Sequence, residues 1–70
     1  MKDERRAILA YLRHVPAASA QMIAEDMAAM GSPHADRDKV QAALHQMDDA
    51  GDVLMRNGIY RISERARAET

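Results

Sequence analysis

The sequence contains no cysteine, no phenylalanine and no tryptophan, and only two prolines and three glycines among its 70 residues. Without cysteine, disulfide staples and thiolate metal sites are excluded, a composition that fits a reducing compartment. Without Phe or Trp, the core has to be built from four Ile, four Leu, three Val, six Met and two Tyr. The hydrophobic fraction of 47% includes 14 alanines, so bulky apolar side chains are fewer than that figure implies. A chain this short buries only about 60% of the surface its unfolded form exposes, and a Met-rich core specifies shape weakly. A partner or a second copy of the chain is one way to complete such a core, and a marginal monomer is another. Long uncharged runs are also missing. The opening MKDERRAILAYLRHV is too charged for a signal peptide, and no stretch is long enough to cross a bilayer. A soluble, cytoplasmic chain with no membrane partner is expected.

An excess of cations is lacking too, since the net charge is −1. Its distribution is uneven. Residues 1–15 carry +2, residues 16–31 carry −2, residues 32–51 carry −2 and residues 52–70 carry +1. The ends are basic and the middle is acidic.

The most informative stretch is Asp36 to Ile62. Val40, Leu44 and Met47 recur at helical spacing and predict a helix from about Asp36 to Ala50 with one apolar stripe. Gly51 is placed to end it in a left-handed conformation. Asn57-Gly58, between VLMR and IYRI, predicts a two-residue hairpin turn of type I′. That turn sets the register: Arg56 opposite Ile59, Met55 opposite Tyr60, Leu54 opposite Arg61 and Val53 opposite Ile62. Faces alternate along a strand. Val53, Met55, Tyr60 and Ile62 therefore form the expected core side, and Leu54, Arg56, Ile59 and Arg61 the outer side.

Upstream, Ile8, Leu12 and Val15 share a face, with Leu9 on its flank, and predict a first helix over roughly residues 3–14. Asp3 and Glu4 suit its N-terminus, Arg13 and His14 its C-terminus. Pro16 ends it, leaving Pro16-Ala17-Ala18 extended and able to pair with the hairpin as a third strand. Ser19 is the expected cap of a second helix, in which Ile23, Met27 and Met30 face inward and Gly31 marks the stop. The Gly31–Ala35 linker has room for an extra helical turn, with Ser32 capping and Pro33 in the first position. After Ser63, ERARAE either starts a last turn or frays, with fraying expected beyond about Arg67. The expectation is one domain over residues 1–70, its core spanning about 3–63 and its tail about 64–70.

Three pieces carry a resemblance: Ala18-Ser19-Ala20-Gln21-Met22-Ile23-Ala24-Glu25; Val40 to Met47 followed by Ala50-Gly51-Asp52-Val53; and Gly58-Ile59-Tyr60-Arg61-Ile62. Together they resemble the winged helix-turn-helix superfamily of many bacterial and phage regulators, over roughly residues 5–63. The fold implied is mainly α with a small β-hairpin, in the order helix, short strand, helix, helix, strand, strand. The resemblance implies helix three in the major groove of DNA, the wing near the backbone or minor groove, and frequent dimerisation. One departure is plain. The outward side of helix three, Asp38, Lys39, Ala42, His45, Gln46 and Asp49, sets a single lysine against two aspartates.

Catalytic patterns are missing as well. Ser19, Ser32, Ser63 and Thr70 sit in no nucleophile elbow or phosphate loop, so an enzyme is not expected. His34 with Asp36 and Asp38, and His45 with Asp48 and Asp49, match no metal-ligand signature and read as solvated surface charge. No metal or cofactor is expected.

Two classes of function remain. A DNA-binding transcriptional regulator or accessory protein, with a homodimer as one expected form, would use Arg37, Lys39, Gln41, His45 and Gln46 near bases and adjacent phosphates. Arg56, Asn57 and Arg61 would grip the double-stranded DNA backbone from the wing, with Ser19 and Gln21 contacting phosphate at helix two. A protein-interaction module, for example a small phage-type regulator or inhibitor, would instead meet a protein partner through Asp38 and Asp49 of helix three and through Leu54 and Ile59 of the outer wing. A structural alternative for Leu54 and Ile59 is a C-terminal segment folded back over them.

Overall fold

A computed structural model describes residues 2–68. Lys2–His14 form α1, with Asp3 and Glu4 in the first turn and Arg13 and His14 in the last, where the helix dipole favours each charge. Ala18–Ser19 form the short strand β1, and Ala20–Ala29 form α2. Arg37–Ala50 form α3, Val53–Arg56 and Ile59–Ile62 form the hairpin strands β2 and β3, and Glu64–Ala68 form α4. The three strands make one antiparallel sheet in the order β1-β3-β2. Among the described residues, no helix is long and apolar enough to cross a membrane.

Local chemistry accounts for the boundaries. The Ser19 side chain accepts from Met22 N–H at 3.2 Å and starts α2; the Asp36 carboxylate accepts from Asp38 and Lys39 N–H and starts α3. Gly51 stops α3 at φ 82°, and the N–H groups of Gly51 and Asp52 turn back to the Asp48 and Met47 carbonyls. Asn57 and Gly58 take φ of 54° and 78°, the pair of left-handed residues that a tight hairpin turn demands. The pairing Val53↔Ile62, Leu54↔Arg61, Met55↔Tyr60 and Arg56↔Ile59 is the expected register.

The core lies where the helices meet the inner face of the sheet. Ile8, Leu12, Ile23, Met27, Val40, Leu44 and Val53 are fully buried there. Each contributes about 1.5–3 kcal/mol by leaving water.

Four expectations need correcting. Met55 is 48% exposed, although it shares the inner face with the buried Val53, Tyr60 and Ile62. Alternation assigns the face correctly, but β2 is an edge strand of the sheet, so Met55 sits at its rim while Tyr60, directly opposite on the central strand β3, is buried. Met30 is 67% exposed because it is the C-cap of α2, with φ −85° and ψ 0°, beyond the last residue whose position helical spacing governs. The linker holds no helical turn: the Ser32 hydroxyl accepts from His34 N–H at 3.1 Å and closes a local turn instead. Finally, the C-terminal segment does not cover Leu54 and Ile59, which are 48% and 42% exposed. It forms α4, capped by Ser63, and buries Ala66 completely, so the core reaches past residue 63. Of the fraying expected beyond about Arg67, Ala68 is still helical, and residues 69–70 lie outside those described.

Candidate nucleic-acid interface

Ser19 and Gln21 begin α2, Arg37 and Gln41 lie on the first two turns of α3, and Met55, Gly58 and Tyr60 belong to the hairpin. All seven line one groove of about 310 Å³. The groove exists because β1 pairs with β3 (Ala18↔Tyr60, Ser19↔Ile59), which sets the start of α2 beside the hairpin. Its polar groups are partly engaged with one another. The Gln41 side-chain amide donates to the Tyr60 hydroxyl at 3.3 Å, and the Gln21 amide donates to Glu25 at 2.9 Å. Gln41 is half-buried, so it forms the groove wall and does not project toward a ligand as a free exposed side chain would.

On the opposite face of the hairpin, Leu54, Arg56, Ile59 and Arg61 are all exposed and, with Ala17 and Asn57, border a shallow depression of about 500 Å³. From Val53 to Ser63 the chain carries two arginines and no acid. Lys39, His45 and Gln46 are exposed on α3 but line neither depression, and Asp38 and Asp49 stand exposed near the two ends of the same helix. Arg37, Gln41, Ser19 and Gln21 are thus brought together, as are Arg56, Asn57 and Arg61. The predicted base-reading residues Lys39, His45 and Gln46 stay apart from both groups. Among the described residues, no three His, Cys, Asp or Glu side chains gather closely enough to hold a metal ion.

Sequence reasoning missed the cluster that anchors the hairpin. Asp52 is 4% exposed; its carboxylate accepts from Arg5 Nε at 2.9 Å, Arg5 Nη2 at 3.1 Å and Arg65 Nη2 at 3.0 Å. The bonded Arg5 guanidinium holds the Asp52 carboxyl below its ordinary range; burial opposes this, and the charges of Arg5 and Arg65 add to it. Arg65 also donates to the Ala50 carbonyl, and the Ser63 hydroxyl donates to the Gly51 carbonyl at 2.7 Å. The base of the hairpin is therefore tied to α1, to the end of α3 and to α4. Arg5 and Asp52 are 47 residues apart, so no local spacing links them. Ser63 followed by Glu64 was the one available signal, since it reads as a helix start.

Compared with known proteins, the chain matches no family model, no curated protein and no solved structure.

Proposed function

We propose that this chain is a winged helix-turn-helix module that binds duplex DNA from the hairpin and from the paired starts of α2 and α3. The observation that carries the reading is the shared groove, in which two helix starts and the hairpin turn converge beside an exposed arginine. Both starts are capped, α2 by the Ser19 hydroxyl and α3 by the Asp36 carboxylate, so what suits phosphate here is the positive dipole end of α2 together with the Arg37 side chain. Arg56 and Arg61 extend that cationic surface along the outer wing, with no carboxylate on their face. Phosphate contacts fix register and orientation without reading sequence, so the wing holds the duplex while α3 approaches its bases. With Arg37, Lys39, Arg56 and Arg61 as the available cations, the log–log salt slope should be about −4.

A second reading has its own support. Leu54 and Ile59 present apolar surface between the two arginines, and α3 carries Asp38, Asp48 and Asp49 against Arg37 and Lys39. An acidic helix beside an apolar wing suits a protein partner with a basic patch.

Charge removal on α3 separates the two. Asp38 and Asp49 are both exposed, about three turns apart. If α3 lies against DNA, changing both to Asn relieves repulsion from phosphate, and binding to any duplex should tighten by about 1 kcal/mol, roughly fivefold. If α3 meets a basic protein surface, the same change slows association. The test is fluorescence anisotropy with a labelled random-sequence duplex at low salt. No binding at tens of micromolar by either form would overturn the DNA reading.

A further inference from the structure

A second groove, of about 570 Å³, runs between α1 and α2. Small residues open it: Ala7 and Ala10 share one side of α1, and Ala29 lines the groove from α2. Val15 and Met30 complete the apolar wall, and the exposed His14 borders it. The acid of the groove is Asp26, half-buried on α2. The Tyr11 hydroxyl donates to Asp26 Oδ2. Burial first, and then that hydrogen bond and the Asp26 charge, push Tyr11 up to about 12, so it stays a neutral donor at neutral pH. Asp26 Oδ1 has no donor among the described residues.

Asp26 differs from Asp52 in what balances it. Asp52 lies between the guanidinium groups of Arg5 and Arg65, which offset its charge. Asp26 meets a neutral hydroxyl and, among the described residues, no cation within salt-bridge distance. A half-desolvated carboxylate beside apolar side chains favours a cation that brings apolar surface of its own. We propose that this groove is a binding site for a small amphipathic amine, with its ammonium on Asp26 and its hydrocarbon body against Ala7, Ala10, Ala29 and Met30. The volume falls within the roughly 300–1,000 Å³ of small-molecule sites, which pair an apolar wall with a few polar anchors. Geometry favours a small molecule over a partner helix. On α2 the wall runs from Asp26 to Met30, about one turn, shorter than the i to i+7 span over which a docked helix sets its anchors. The groove shares no lining residue with the one beside the hairpin, so a ligand in one leaves the other open.

The test is a titration of the isotope-labelled full chain with n-octylamine to about 5 mM, read by amide NMR shifts, with n-octanol and octanoate as matched probes. Octylamine should shift the amides around Ala7, Ala10 and Ala29 saturably, with a dissociation constant on the order of 1 mM. Octanol should bind about fivefold more weakly or worse, and octanoate should not bind, since its carboxylate meets Asp26 as like charge. Each methylene added between hexylamine and octylamine should tighten binding roughly two- to fourfold. Asp26→Asn keeps an acceptor for Tyr11 but removes the charge, and should erase the preference for amine over alcohol. Ala10→Leu, at an exposed helix position that suits leucine, should fill the groove and weaken octylamine about tenfold. Glu25→Gln, on the same helix as Asp26 but outside the groove, should leave octylamine binding as it is. A circular dichroism melt like the parent's establishes that each variant folds. Octylamine that shifts no groove amide by about 5 mM would overturn the proposal. So would octanoate binding as tightly as octylamine, an amine preference that Asp26→Asn leaves intact, or undiminished binding by Ala10→Leu.

Discussion

The hairpin uses arginine in two opposite ways at its two ends. At the base, Arg5 and Arg65 converge on the buried Asp52, and Ser63 links the Gly51 carbonyl to the first turn of α4. Among the described residues, no buried side-chain nitrogen or oxygen is left without a partner. At the tip and along the outer face, Arg56 and Arg61 stand in solvent beside Leu54 and Ile59, with no carboxylate on their side of the sheet. Side chains of one chemical type thus act as a clamp where an acid is buried between them and as a free surface where none is. Charge at the base contributes to the fold, and charge at the tip stands exposed on the outer face. The two regions also differ in what holds them, since the base is crossed by side-chain bonds from α1 and α4 whereas the turn rests on the left-handed conformations of Asn57 and Gly58 with β1 paired alongside at Ile59.

The largest effect on stability is expected at the base. Asp52→Ala removes the acceptor from two guanidinium groups that are themselves partly exposed, so the cost falls below that of opening a fully buried pair, at about 1–3 kcal/mol. For a domain of this size that is a fall of roughly 5–20 °C in melting temperature. The contribution should also depend on pH in a defined direction. Because the folded-state pKa of Asp52 is lowered, its stabilisation is complete above the unfolded value near 4 and is lost as the pH falls through the lower folded value. Urea midpoints of the parent and of Asp52→Asn should therefore stay a constant distance apart between about pH 5 and 8, and converge below about 4. A gap that persists at the lowest pH would mean that the carboxylate charge is not what ties the base.

A smaller effect is expected at the turn. Gly58 has φ 78°, and nothing lies within 4 Å of the position a Cβ would take. Gly58→Ala should therefore cost only backbone strain, about 1 kcal/mol, read as a shift of roughly 4–8 °C in a thermal melt. A cost as large as that of Asp52→Ala would erase the distinction between base and tip.

The parts legible in the sequence were those written locally. Asn57-Gly58 between alternating strands set the register, Ser19 announced a helix start, and Gly51 announced a helix end. Leu44 and Val40 lay at the spacing of a buried stripe. The misread positions were those whose environment depends on where layers end. Met55 has the right parity for the core but lies on the edge strand of the sheet, and Met30 has the right spacing but follows the last helical residue. Asp52 registered as a unit of charge and as part of the resemblance but not as an anchor, because its partner Arg5 comes from the other end of the chain. Of the candidate interface, the wing residues could be grouped from hairpin parity alone. The joining of Ser19 and Gln21 to Arg37 and Gln41 follows from the β1–β3 pairing, for which the extended stretch after Pro16 was the signal, and from the packing of α2 on α3, which no spacing encodes. Gln41 shows the consequence: it lies on the expected side of α3, yet its amide is drawn to the Tyr60 hydroxyl.

The proposal that the outer cations of the hairpin serve binding and not folding is tested by one paired measurement. The variant Arg56→Ala/Arg61→Ala is compared with the parent by duplex-DNA anisotropy across a salt series and by thermal melting. Removing exposed charges away from the core should change stability by under about 0.5 kcal/mol, so the melts should agree within about 3 °C. Duplex affinity should fall about tenfold or more at low salt for all sequences alike, and the log–log salt slope should become shallower by about two. A variant that binds duplex as tightly as the parent, or one that loses binding only because it no longer melts cooperatively, would contradict the account.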